Sequence, residues 1–326
     1  METHLFISNF KKIPWRKIGI IFLLFFLSDQ IIGFSFKKLT DKVSGYWFRR
    51  HLKIEHVINH QYDYLIFGSS RSMYSINPIE LNKNLNLVGF NSSIEASDIS
   101  FFIDVLKILE KQGNMPKRLL FNIYAKSIIE GEINYNNVFN ILGPLSVSSE
   151  LFEKSFPVES KLSFINSLKY HKVLPDLING LRKSGKPSDY GYRPVYSKGL
   201  CELGDNCKSG KPFSESDWIK LRGELSDPYY GYLDELLQIV ERNKLNVVFT
   251  ISPVHSVLNI DMKSSYFLWE KVKVYLEDKG HYVLDYRMSE QFYSNDEYYT
   301  DAIHLNSKGA KLFSKILAQD LKKLNF

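Results

Sequence analysis

The sequence predicts an α/β fold, a parallel sheet covered by helices on both faces and carried behind one N-terminal transmembrane helix. Three observations predict it. Short apolar runs bounded by turn residues alternate with helix-period segments over 62–124 and again from 229 onward. A long apolar segment, residues 18–36, precedes them. The stretch between, about 125–228, breaks the alternation and reads as a long, mainly helical insertion rather than a separate domain, because the pattern then resumes.

Composition sets the bounds. The chain has 326 residues, 44% hydrophobic and 24% charged, an ordinary globular balance for one large domain or two small ones. Its formal net charge of +6 is modest, and much of the basic charge lies before residue 54, beside the apolar segment. That reads as membrane-flanking charge. Zinc-finger spacing, an RNP-like strand and a helix-turn-helix pattern are all missing, which argues against a nucleic-acid partner. No His, Cys and Asp grouping has metal-ligand spacing, and no motif calls for a cofactor.

Residues 1–17 form a basic N-terminus, expected in the cytoplasm, and "IGIIFLLFFLSDQIIGFSF" (18–36) follows. A span needs roughly 20 apolar residues, so the segment qualifies by length. No small-x-small cleavage site follows it, which favours an uncleaved signal anchor over a removed signal peptide. Asp29 interrupts the apolar run; an aspartate within a span costs about 3 kcal/mol and marks either an interface or a partner contact. Basic residues flank both sides of the segment, so the positive-inside rule gives no vote on orientation. Cys201 and Cys207, the only cysteines, share the polar loop "GLCELGDNCKSGKPF". Two cysteines so placed suit a disulfide in an oxidising compartment, with two free thiols as the alternative, and place the body outside the cytoplasm.

Residues 37–61 read as a basic juxtamembrane helix or stalk, and 62–326 as the α/β domain. "DYLIFG" (63–68) is a buried strand; "NPIELNKNL" is a short helix with Asn77 as N-cap and Pro78 at its first position. "NLVGFN" (86–91) is the second strand. In 97–114, Ile99, Phe102, Val105, Leu106 and Leu109 share a helix face that Gly113 closes, and "RLLFNIY" (118–124) is the third strand. After the insertion come a helix (229–245), a strand (246–253), a helix (265–280), a strand (282–287) and a last helix (307–324) capped by Asn306.

Ligands of open parallel sheets bind outside the carboxyl ends of the strands. "FGSSRS" puts Ser69 and Ser70 there, after the first strand, and "YYTDAIHLNSKGA" sets Asp301 and His304 just before the last helix. A serine hydroxyl is a weak nucleophile until a base takes its proton, which imidazole does near neutral pH. A carboxylate must hold that imidazole's tautomer, and an aspartate three residues earlier can do so from the same loop. Each piece alone is common; their placement carries the reading.

"FGSSRS" followed far downstream by "DAIHLNSKGAKLF" resembles the SGNH (GDSL-like) hydrolase superfamily. The closer likeness is to its membrane-anchored extracytoplasmic branch, where Gly-Ser-Ser replaces Gly-Asp-Ser and whose members serve acylation of cell-surface polymers. The resemblance implies a flavodoxin-like three-layer sheet, with Ser70 as nucleophile, His304 as base and Asp301 orienting it; Ser69 is the fallback nucleophile. Two departures stand out. Where the family has an oxyanion-hole glycine after the second strand, this chain has Ser93, which would donate through its backbone N–H. The third block is missing, leaving Asn122 as the asparagine in reach; Ser70, Ser93 and Asn122 are thus the candidate oxyanion donors.

Other candidates are weaker. His255 in "ISPVHS" sits after another strand and could line the pocket or be a plain loop histidine. Tyr192 and Arg193 could contact a glycan or anionic substrate, or only shape a turn before Pro194. Arg71 could bind an anionic group or brace its loop. The expected function is therefore a membrane-anchored serine esterase or O-acyltransferase acting on acylated cell-envelope polysaccharide through an acyl-enzyme. The families it resembles imply a multi-span acyl-exporting partner. The rival reading is a non-catalytic scaffold or carbohydrate-binding partner in the same kind of assembly.

Overall fold

Apolar runs too short for a helix become the strands of a sheet buried on both faces. In the computed structural model, residues 15–40, 46–123, 135, 138–143, 145, 149–162, 164–167, 227–256, 263–301 and 303–326 are described. Their strands are β1 (Tyr64–Phe67), β2 (Gly89–Asn91), β3 (Arg118–Asn122), β4 (Asn246–Ile251) and β5 (Tyr282–Asp285). All pair in parallel, in the spatial order β2-β1-β3-β4-β5. This is the flavodoxin-like order, whose switch point lies between β1 and β3.

Alternation along each strand divides the core in two. Leu65 and Phe67 of β1, Leu119 and Phe121 of β3, and Val247, Phe249 and Ile251 of β4 face one side. There they meet α2 (Tyr46–Asn59), α5 (Ile99–Gln112), α8 (Asp227–Arg242) and α9 (Lys263–Asp278). Tyr64, Ile66, Leu120 and Val248 face the other side. There they meet α4 (Pro78–Leu85) and α11 (Ser307–Lys323). The predicted caps form. Asn77 Oδ1 accepts the N–H groups of Ile79 and Glu80 at 2.9 and 3.3 Å, and Asn306 Oδ1 accepts that of Gly309 at 2.9 Å.

Two helices are absent from the reading of the sequence. α3 (Ser70–Ser75) is a six-residue helix directly after β1, in a stretch to which the sequence assigns no element. α10 (Glu290–Tyr293) sits where only a loop is expected. Both are too short to display an apolar period. The described part of the insertion is helical: a π-helical turn at Val138–Leu142, then α6 (Glu150–Ser155) and α7 (Pro157–Lys161). Asp104 of α5 ties it down, accepting from Ser149 Oγ at 2.6 Å and the Leu151 N–H at 3.0 Å.

α1 (Trp15–Thr40) contains one stretch, Trp15–Phe36, long and apolar enough to cross a membrane. Most of its apolar side chains are exposed, though Phe36 is buried, and Asp29 is buried too, at 3% exposure. Its partners belong to this same chain. Oδ2 accepts the Asn166 N–H and Oδ1 the Ser167 N–H, each at 2.7 Å.

Candidate active site

The carboxyl end of β1 turns at Gly68, whose φ is +153°. A Cβ there would lie 2.6 Å from the Ser72 Cβ and 2.9 Å from the Asn122 carbonyl oxygen. Only glycine fits so close an approach of strand, helix and neighbouring strand. Ser69 then precedes α3, and Met73 donates to its carbonyl at 3.0 Å, closing the first helical turn. Ser70 opens α3, where a backbone N–H has no carbonyl of its own helix to meet. Its hydroxyl is left at the sheet edge.

The loop before α11 supplies the other half. Tyr299 and Leu305 pair as an antiparallel bridge, and Thr300 donates to the His304 carbonyl from its N–H at 3.0 Å and Oγ1 at 3.2 Å. Asp301 Oδ1 accepts the N–H groups of Ile303 and His304 at 2.9 and 2.8 Å. That leaves Oδ2 for His304 Nδ1, 2.8 Å away. His304 Nε2 in turn lies 2.9 Å from Ser70 Oγ. An ionised carboxylate only accepts, so Nδ1 carries the proton and Nε2 is the acceptor for the serine hydroxyl. Gly309 seats α11 against this loop, because a Cβ would meet the Tyr298 carbonyl at 2.4 Å.

Burial would raise the Asp301 carboxyl. The His304 hydrogen bond and charge, with two backbone N–H donors, outweigh that and hold it below the ordinary aspartate range. Glu95, on the loop after β2, also feels His304. Its partial burial pushes the carboxyl above its usual range, while the histidine's charge pulls the other way.

The remaining candidates fall in several places. Ser93 lies beside the nucleophile turn, since Ile94 donates to the Gly68 carbonyl at 3.0 Å. Its N–H is engaged by Asn91 Oδ1 at 3.1 Å and its hydroxyl donates to Ser72 Oγ at 2.7 Å. Asn122 ends β3, and its amide donates to Ser252 Oγ at 2.7 Å. Arg71 is wholly buried, with Nη2 donating to the carbonyls of Ser252 and Pro253 at 2.5 and 2.9 Å. It braces the end of β4 against α3. His255 Nε2 lies 2.7 Å from Asp296 Oδ1, and its ring stands edge-on to Tyr299 at 5.2 Å. Tyr192, Arg193, Cys201 and Cys207 lie outside the described residues.

Sequence reasoning missed four residues at this edge. Tyr74 stands edge-on to the His304 ring, centroids 5.1 Å apart. Its spacing of four from Ser70 would have pointed there, had 70–75 been read as helix. Glu95 follows β2 just as Ser70 follows β1, so the strand-end rule could have found it. Trp269 lies between two guanidinium groups, with Arg71 Cζ 5.5 Å and Arg287 Cζ 5.3 Å from its ring. Nothing in a lone Trp or Arg signals such a stack.

Among the described residues no group of His, Cys, Asp and Glu could hold a metal ion. No known family profile matches the sequence, and no curated protein does. Solved structures do match. One is a candidate lipolytic protein of the G-D-S-L family from Desulfitobacterium hafniense, 9% identical, TM-score 0.40, covering 79% of this chain and 98% of that one. Another is a candidate acylhydrolase from Bacteroides fragilis, 11% identical, TM-score 0.39, covering 80% and 88%. A third is a candidate platelet activating factor from Streptococcus pneumonia, 12% identical, TM-score 0.41, covering 91% and 99%. At such scores none of these likenesses bears on the chemistry, which stands on the distances given above.

Proposed function

We propose that the chain is a membrane-anchored serine esterase or O-acyltransferase of SGNH type that forms its acyl-enzyme on Ser70. One observation carries the reading: Ser70, His304 and Asp301 make a continuous hydrogen-bonded line of 2.9 and 2.8 Å at the carboxyl edge of the sheet. Ser70 Oγ attacks the ester carbonyl carbon as its proton passes to His304 Nε2, and Asp301 stabilises the imidazolium through Nδ1–H. The Ser70 N–H, at the start of α3 and without an acceptor in its own helix, would serve as an oxyanion donor. Collapse expels the alcohol, which takes the proton from Nε2. His304 then deprotonates water or a sugar hydroxyl, whose attack on the acyl carbon frees Ser70.

The apolar stretch Trp15–Phe36 supports anchoring. The cysteine pair of the sequence supports a body outside the cytoplasm. An acylated envelope polysaccharide and a multi-span acyl-exporting partner belong to this proposal on the strength of the sequence resemblance alone. Incubation of the detergent-solubilised chain with a fluorophosphonate probe tests the reading. The wild type takes up the probe and Ser70→Ala does not; a wild type that fails to label ends it.

A non-catalytic scaffold is the second reading, and it too has a specific observation. The Ser93 N–H is occupied by Asn91. One missing oxyanion donor costs on the order of 3 kcal/mol in the transition state. Probe uptake at Ser70 decides between the two.

A further inference from the structure

Asp29 is the one acidic residue in the apolar stretch Trp15–Phe36, and it is buried while the side chains around it are not. Ile32 and Phe34 stand 44% and 67% exposed within a turn or so of it. What buries Asp29 is the insertion. Besides the two backbone N–H bonds at 2.7 Å, Asn166 Nδ2 donates to Asp29 Oδ2 and to the Asp29 carbonyl, each at 3.3 Å. Gly33, one turn further along the same helix face, makes room: a Cβ there would stand 2.5 Å from Asn166 Cγ. The carboxylate thus takes the N–H groups of Asn166 and Ser167 together, as an N-cap side chain would, but from another element.

Depth gives this contact its meaning. Phe36 lies seven positions beyond Asp29, about 10 Å of helix at 1.5 Å per residue. If Asp29 lay at the membrane surface, only Trp15–Ser28 would remain to cross. Those residues supply about 21 Å against a hydrocarbon core of roughly 30 Å. The span must therefore run past Asp29, and whatever is hydrogen-bonded to Asp29 enters the bilayer with it. The residues next to the bonded pair suit that place: Phe164 presents an apolar side chain at 67% exposure, while the exposed Glu159 and Lys161 hold α7 itself at the interface. In hydrocarbon an unsatisfied N–H is costly, and here Asp29 accepts the ones that would be left over.

We propose that residues 164–167 enter the membrane beside α1, in the leaflet nearest the body. Phe164 faces lipid, and Asp29 caps the N–H groups of Asn166 and Ser167. The proposal rests on the anchored reading given above. It gives Asp29 a positioning role within the chain. Through α7 and α6 the contact runs to Asp104 and the sheet, so the body is held to the bilayer at two points and cannot swing on a single stalk.

The test uses the full chain in phosphatidylcholine–phosphatidylglycerol vesicles, with Cys201→Ser and Cys207→Ser as background. A nitroxide is attached at Phe164→Cys or, separately, at Ile32→Cys, and its collision rates with oxygen and a water-soluble nickel chelate are compared. Fluorophosphonate uptake at Ser70 reports that each labelled chain is folded. Both labels are expected to be oxygen-accessible and shielded from nickel. Adding Asp29→Ala should move the label at 164 to the nickel-accessible phase and leave that at 32 in place. A lipid-exposed label at 32 with a nickel-accessible one at 164 overturns the proposal while sparing the anchor. Nickel access at both positions overturns the anchor and the proposal together. A label at 164 unmoved by Asp29→Ala refutes the capping role.

Discussion

Asp301 grips His304 twice, through the ring and through the backbone. Oδ2 lies 2.8 Å from Nδ1, and Oδ1 accepts the His304 N–H, also at 2.8 Å. The second bond shapes the turn, so the carboxylate builds the loop that delivers the imidazole as well as orienting it. Shape and charge can therefore be separated by substitution.

Asp301→Asn keeps an oxygen for the two backbone N–H groups but presents an amide N–H to Nδ1. The imidazole is then driven to the opposite tautomer, with a proton where the Ser70 hydroxyl needs an acceptor. In serine triads that exchange costs on the order of 10,000-fold in kcat. We expect a loss of that order in p-nitrophenyl acetate hydrolysis, with KM little changed. A variant within tenfold of wild type would mean that Asp301 serves the loop alone.

The same carboxylate makes an acid-stability prediction. Its folded-state pKa is below the ordinary value, burial being outweighed by His304 and the two N–H donors. A depressed carboxyl stabilises the fold above its unfolded pKa, about 3.9, and ceases to as pH falls through the folded value. Wild type should therefore melt higher than Asp301→Asn at pH 7, and the gap should narrow as the pH is taken below about 4. Thermal unfolding of both chains in detergent across that range measures it. A gap of constant size would remove the linkage.

Glu95 makes the opposite stability prediction. Burial holds its carboxyl above the ordinary range, although the charge of His304 pulls the other way. A carboxyl raised in the fold costs stability once the pH exceeds its unfolded value, about 4.3, and the cost is complete above the folded one. Glu95→Gln should therefore melt higher than wild type at pH 7, and the difference should fade as the pH is taken below about 4. A variant no more stable than wild type at pH 7 would remove this linkage.

The strands and long helices were legible because burial on both faces writes continuous apolar runs and one-sided burial writes a helical period. Leu65 and Phe67, or Ile99 and Phe102, announce their places without any knowledge of neighbours. Ser70, Asp301 and His304 could be singled out because strand ends and helix starts are themselves readable. Their meeting is a long-range fact of the fold, across 234 residues. What stayed hidden depends on contacts with no local pattern. Asp29 carries no sign that Asn166 and Ser167 will cap it. α3 is too short to be periodic, so nothing in the sequence marks Tyr74 as a wall of the histidine site.

Arg71 is the residue where position in sequence and position in space diverge most, and stability measurements can separate them. It follows the nucleophile directly, which suggests an anion-binding role. Yet its side chain is wholly buried, reaching the Ser252 and Pro253 carbonyls while its guanidinium lies near the Trp269 ring. Arg71→Met would leave those carbonyls without this donor, at roughly 1–3 kcal/mol for a buried polar group. Lysine supplies charge but not the planar guanidinium that lies by the Trp269 ring while its Nη2 reaches both carbonyls, so Arg71→Lys should recover little. Both variants should lower Tm by about 2–10 °C and leave KM for a neutral ester and for an anionic one alike. If Arg71 instead held an anionic substrate, Tm would be unchanged and KM would rise for the anionic ester alone.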